Sequence, residues 1–114
     1  MEYSTHTEGS YTVLSLVGEV DLHYSPRLRK QLLKDLGTGQ NVLVELSKVR
    51  YIDSSGIASL VEAYQVAKKK NLKFGLVGVS HAAMQVLQLA RLDRVFPIHD
   101  SVNERIASDE FKAH

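Results

Sequence analysis

There is no cysteine in this 114-residue chain. Disulfides, thiolate metal sites and cysteine nucleophiles are therefore excluded. Charge of one sign is also lacking: 14 basic against 13 acidic side chains leave a net charge of +1. Proteins that hold nucleic acid by bulk electrostatics are usually strongly basic, so direct nucleic-acid binding is not expected. No apolar run approaches the roughly 20 residues that a membrane-spanning helix needs. The opening MEYSTHTEGS is polar and does not read as a signal peptide. The expectation is a cytoplasmic protein with no membrane insertion.

Several chemical signatures are missing as well. There is no G-x-S-x-G elbow, so a serine hydrolase would need one of the scattered histidines, His6, His23, His81, His99 or His114, brought to a serine. No H-x-x-x-H pair points to a metal site. Neither the G-x-x-x-x-G-K-[ST] loop nor the G-x-G-x-x-G fingerprint occurs, so no nucleotide cofactor is expected by those routes.

What is present fits one domain over residues 1–114. Hydrophobic residues make up 44% of the chain, enough for an ordinary core. Residues 2–7 alternate weakly, as an edge strand does, and Glu8, Gly9 and Ser10 supply a turn. YTVLSLVGEV follows as a second strand ending near Gly18, and so short a turn pairs the two antiparallel. Ser25-Pro26 reads as an N-cap and first helical position, with Leu28, Leu32, Leu33 and Leu36 at helical spacing and Gly37 as the stop. NVLVEL, residues 41–46, is a short buried strand. Ile57, Leu60, Val61 and Tyr64 mark a second helix, closed by Lys68–Lys70 and a left-handed Asn71.

Residues 72–78 form the next strand. Ser80 caps a third helix with Ala83, Met84, Val86, Leu87 and Ala90 inward. RVFPI, residues 94–98, is a short strand, and Ser101 to Glu104 is a capping box for a fourth helix. The order β-β-α-β-α-β-α-β-α implies an α/β fold with mostly parallel pairing.

YIDSSGIASL, residues 51–60, joins the third strand region to the second helix. Binding sites of α/β sheets favour such strand ends and helix starts. Ser54 or Ser55 is expected to cap the helix, Gly56 to allow close approach, and the free N–H groups of the first turn to favour an anion. Asp53 reads as a second cap or as part of a recognition surface, with magnesium binding ranked below both. Asp21 closes the turn after GEV as readily as it serves a site.

GEVD at 18–21, DSSG at 53–56 and the strand–helix–strand–helix run from Phe74 to Ile106 together resemble the STAS domain of stand-alone bacterial anti-sigma factor antagonists. The resemblance covers about residues 10 to 107. It implies the STAS fold, a mixed and mostly parallel sheet with an N-terminal antiparallel pair and about four helices. It also implies a regulator that is not an enzyme and has no cofactor. Such antagonists bind an anti-sigma factor that is a serine kinase with a GHKL-type ATPase fold, and so release a sigma factor. The kinase phosphorylates the serine after the aspartate, here Ser54, and a PP2C-type phosphatase reverses this. The resemblance sets Asp21, Asp53, Ser55 and Gly56 in the partner-binding surface, and Ala58 departs from a second glycine found in many members. Lys68–Lys70 lie at the far end of the helix. The alternative is a STAS subunit of an ABC-type lipid transport or other signalling assembly, with Ser54 only a helix cap. A small hydrolase using Ser54 is a third reading.

Overall fold

A computed structural model describes residues 2–113 of the chain, with side chains to Phe111. Its strands are β1 (Glu2–Glu8), β2 (Tyr11–Val20), β3 (Asn41–Ile52), β4 (Phe74–Val77) and β5 (Ile98–His99). The helices are α1 (Ser25–Gly37), α2 (Ser54–Lys69), α3 (His81–Leu89) and α4 (Val102–Ala113). This is the element order read from the sequence. The strands lie in one sheet, in the order β1-β2-β3-β4-β5. β1 pairs antiparallel with β2 from Glu2↔Val17 to Glu8↔Tyr11, across a turn in which Gly9 takes φ +58°. All later pairs are parallel.

Both sheet faces are covered, which explains the near-continuous apolar runs of β2, β3 and β4. On one face Leu14, Leu16, Val42, Val44 and Leu76 meet Leu28, Leu32, Leu60 and Leu87 of α1, α2 and α3. Each such side chain contributes about 1.5–3 kcal/mol by leaving water. The other face is smaller: Tyr11, Val13, Leu43 and Val77 pack under Val102 and Ile106 of α4. There Arg105, almost fully buried, donates from Nη1 to the Phe74 carbonyl and from Nε to Asp109. Tyr11 also donates to Asp109.

Several boundaries differ from expectation. β3 runs to Ile52 rather than Leu46, because Val49 and Ile52 still face the core while Lys48, Arg50 and Tyr51 are exposed. Register shifts at Ser15/Val17 and Gly18/Glu19 let β2 continue to Val20, beside Ile52. Ser25 is not the cap of α1. It is buried in the first turn, and the Asp21 carbonyl accepts from the backbone N–H of Tyr24 and Ser25 at 2.9 and 2.8 Å. Gly37 stays helical; Gly39, at φ +83°, makes the turn.

β4 and β5 are shorter than 72–78 and 94–98, and Val95 is half-exposed. Ala90 is exposed, as the C-cap of α3. Asn71 does adopt φ +57° after α2, and Ser80 does cap α3. Ser101 Oγ accepts from the Glu104 N–H, and the Glu104 carboxylate reaches back to the Asp100 N–H.

Candidate functional site

The last residues of β2 and β3 meet the first turn of α2. The Asp53 N–H donates to the Val20 carbonyl at 3.1 Å, fastening the end of β3 to the end of β2. Asp53 is then the N-cap of α2, with extended backbone. Its Oδ1 accepts from the N–H of Ser55 at 2.9 Å, the N–H of Gly56 at 3.2 Å and the Ser55 hydroxyl at 2.5 Å. Its backbone carbonyl accepts from the Ile57 N–H.

This arrangement corrects two expectations. Neither Ser54 nor Ser55 caps the helix, because aspartate one position earlier reaches the same N–H groups. Of the first-turn N–H groups expected to favour an outside anion, those of Ser55 and Gly56 are already satisfied by Asp53. Ser54 is left exposed, and among the described residues its hydroxyl has no hydrogen-bond partner in the protein. Ser55 is half-buried, its hydroxyl committed to Asp53. The Asp53 carboxyl is held below its ordinary pKa, chiefly by the Ser55 hydroxyl. Slight burial pushes the other way, and the N–H groups of Gly56, Ser55 and Leu22 add to the lowering.

Gly56 is buried. A Cβ there would stand 2.8 Å from both Ile52 Cγ1 and Val20 Cγ1, and 3.1 Å from the Val20 carbonyl oxygen. The close approach that glycine permits is therefore internal: it seats the start of α2 on the two strand ends. Gly56 thus lies beneath the surface, not in it.

Asp21 lies in the loop between β2 and α1. Its Oδ1 accepts from the His23 N–H at 3.1 Å and its carbonyl starts α1, so it closes the turn. Leu22 beside it is 72% exposed, unusual for leucine, and places an apolar side chain in the same loop. Past the helix start, a cleft of about 320 Å³ runs between α1 and α2, lined in part by Pro26, Ser55 and Ala58. Arg29 and Glu62 close it with a two-bond ion pair at 2.7 and 2.9 Å. That pair lowers the Glu62 pKa, and sequence reading missed it because its partners are 33 residues apart.

No histidine is hydrogen-bonded to Ser54 or Ser55 among the described residues; His114 lies outside them. The described residues also contain no cluster of three acidic or histidine side chains fit to hold a metal ion. No described helix is long and apolar enough to cross a membrane. Lys68 rests 4.9 Å over the Tyr64 ring in the last turns of α2.

The sequence matches the STAS domain over residues 2–105, nearly the whole chain. The chain belongs to the STAS domain family. Among curated relatives it is similar to the anti-sigma-B factor antagonist of Bacillus subtilis strain 168, 25% identical over 85 residues. That match covers 75% of this chain and 78% of the relative. Among solved structures, an anti-sigma factor antagonist of Thermotoga maritima superimposes with a TM-score of 0.86 at 23% identity, over 93% of this chain and 92% of that one. The Bacillus antagonist SpoIIAA is similar in its unphosphorylated form, with a TM-score of 0.79 at 18% identity, over 99% of this chain and 98% of that one. Its phosphorylated form gives 0.74 at 17%, over 94% and 98%. At these identities the solved structures show the STAS fold. The relatives are named as antagonists, which are regulatory binding proteins rather than enzymes.

Proposed function

We propose that this STAS protein is an anti-sigma factor antagonist that works by partner switching, with Ser54 as its phosphorylation site. One observation carries the reading. Asp53 makes the helix cap, so Ser54 is spared structural duty and its hydroxyl projects from a rigid helix start. The partner surface comprises Asp21, Asp53, Ser55 and exposed Leu22, with Gly56 supporting it from below. The partner is an anti-sigma factor of the GHKL-type serine kinase class, and a PP2C-type phosphatase resets the switch.

The chemistry is a phosphoryl transfer. Ser54 Oγ forms a bond to the γ-phosphorus of ATP while the bond from that phosphorus to the β-bridging oxygen breaks. ADP leaves, and the hydroxyl proton passes to a base of the kinase. The product adds about −1.5 to −2 charges. Because Asp53 already fills the Ser55 and Gly56 N–H sites, the phosphate would not replace it there and would face outward beside a carboxylate. A docked partner would have to desolvate both charges. A loss of about 3 kcal/mol in binding is more than a hundredfold in affinity.

Incubation with the cognate kinase and ATP tests this, read by intact mass and peptide mapping. A single phosphoryl group on Ser54 is expected, absent from Ser54→Ala, which should hold the kinase whether or not ATP is present. Labelling of Ser55 instead, or unchanged labelling of Ser54→Ala, would overturn the site. A stable complex with ABC-transporter subunits and none with any kinase would favour the transport reading.

A further inference from the structure

Strand β1 is an edge of the sheet: among the described residues its one strand partner is β2. Natural edges are usually blunted by proline, by charged side chains, lysine above all, by a bulge or by a covering element. β1 lacks proline, lysine and a bulge, and its charged residues Glu2 and Glu8 stand only at its two ends. Its sequence EYSTHTE contains no proline or lysine, and its seven-residue ladder runs without a register shift. Residues Ser4 to Thr7 are exposed. Alternate residues of such a strand turn their backbone N–H and C=O groups outward, unpaired.

The face beside that edge is basic. Tyr3 packs on the main core and its hydroxyl donates to Gln31 Oε1 of α1, so Tyr3, Thr5 and Thr7 share the α1 side of the sheet. A groove of about 290 Å³ lies there, lined by Tyr3, Arg27, Lys30, Gln31 and Lys34. The spacing of the three cations puts them on one stripe of the helix. None of them has a carboxylate partner among the described residues. Arg27 instead rests 5.3 Å over the Tyr24 ring. The acidic side chains of β1, Glu2 and Glu8, alternate to the opposite face. Asp35, next to Lys34 in the chain, is buried and accepts from Gln31.

We infer that the β1 edge and the Arg27–Lys30–Lys34 stripe form a second docking surface, which takes an extended acidic peptide segment of a partner protein by strand addition. The backbone would supply affinity through the free edge, and alternate acidic side chains would meet the stripe. Charge argues against a second copy of this chain in the same place. Two β1 edges joined into one sheet are related by a twofold axis perpendicular to it. That brings both α1 stripes together on one face, cation against cation. The surface does not depend on Ser54 or on the state of the switch.

The test uses a synthetic peptide alternating threonine with glutamate, and its counterpart with glutamine for glutamate. The 114-residue chain is titrated with each by fluorescence polarisation, and hydrogen exchange is followed by NMR. The glutamate peptide should bind, weaken as salt is raised, and slow the exchange of alternate β1 amides. The glutamine peptide should bind at least tenfold more weakly, and so should the double variant Lys30→Glu, Lys34→Glu, whose fold is checked by circular dichroism. Ser54→Ala should bind like the parent. Absence of binding, or binding without protection of β1 amides, would overturn strand addition. Tighter binding of duplex DNA or of phosphatidylglycerol vesicles at the same stripe would overturn the peptide assignment.

Discussion

The starts of α2 and α3 both contain serine, and they use it in opposite ways. At α3 the cap is Ser80 itself. Its hydroxyl oxygen accepts from the Ala83 N–H at 3.1 Å and donates to the Val49 carbonyl at 2.6 Å, so the group is consumed inside the fold. At α2 the cap is Asp53, and the serine one residue later is exposed, its hydroxyl without a partner among the described residues. A shift of one position along the same kind of turn separates a structural serine from a presented one. Under the proposed switch the carboxylate is also the better cap, because it needs nothing from the serine whose charge would change. It holds the first turn whatever happens to Ser54, whereas modification of Ser80 would remove a cap and leave the Val49 carbonyl unsatisfied.

The largest expected effect lies under the α2 start. Gly56→Ala places a methyl group 2.8 Å from the side chains of Val20 and Ile52, and the strand ends must give way. Urea denaturation should show a loss at the upper end of the roughly 1–3 kcal/mol typical of overpacking. An unchanged midpoint would mean that the helix start is not clamped to the sheet. Next is Ser80→Ala, which removes a cap and a hydrogen bond to a strand carbonyl together. About 2 kcal/mol is expected, and a loss no greater than that of Ser54→Ala would erase the contrast between the two serines.

Asp53→Asn sharpens the comparison by pH. Asparagine can still cap, so the loss at neutral pH should stay within about 1 kcal/mol. The folded pKa of Asp53 lies below its unfolded value. Its charge-dependent stabilisation is therefore complete above the ordinary carboxylate range near pH 4 and is lost as pH falls through the lower folded value. The difference between parent and variant, measured by thermal unfolding at successive pH values, should shrink on acidification. A difference that grows would contradict the capping role of the carboxylate. Smallest of all is Ser54→Ala, with a stability change inside about 0.5 kcal/mol. A larger loss would show that the hydroxyl is structural after all.

Much of this was legible locally. The element order, the left-handed Asn71, the Ser80 cap and the Ser101–Glu104 pairing depend on residues a few positions apart. Their chemistry is spelled out in the chain, and the structure has them where the pattern implied. The end of β3 was not legible. The pattern gave a strand only over residues 41–46, yet it continues to Ile52 because β2 alongside supplies the pairing and Val49 and Ile52 find the core. The role of Asp53 hung on the same point. Once the strand runs to Ile52, the next residue must make the turn, and the cap falls on aspartate rather than serine.

The sequence by itself determined which segments become strands and helices, and that a serine with an aspartate before it stands at the opening of α2. Periodicity and capping chemistry act over a few residues, within one element. Which hydroxyl is bonded and which is bare was decided only when distant segments met. So was the burial of Gly56 against Val20, 36 positions earlier in the chain. The Arg29–Glu62 pair between helices and the Tyr11–Asp109 contact beneath α4 arose in the same way. The physical reason is that hydrogen bonds and close packing depend on separations of a few ångströms, and for residues far apart in the chain only the assembled sheet sets those separations.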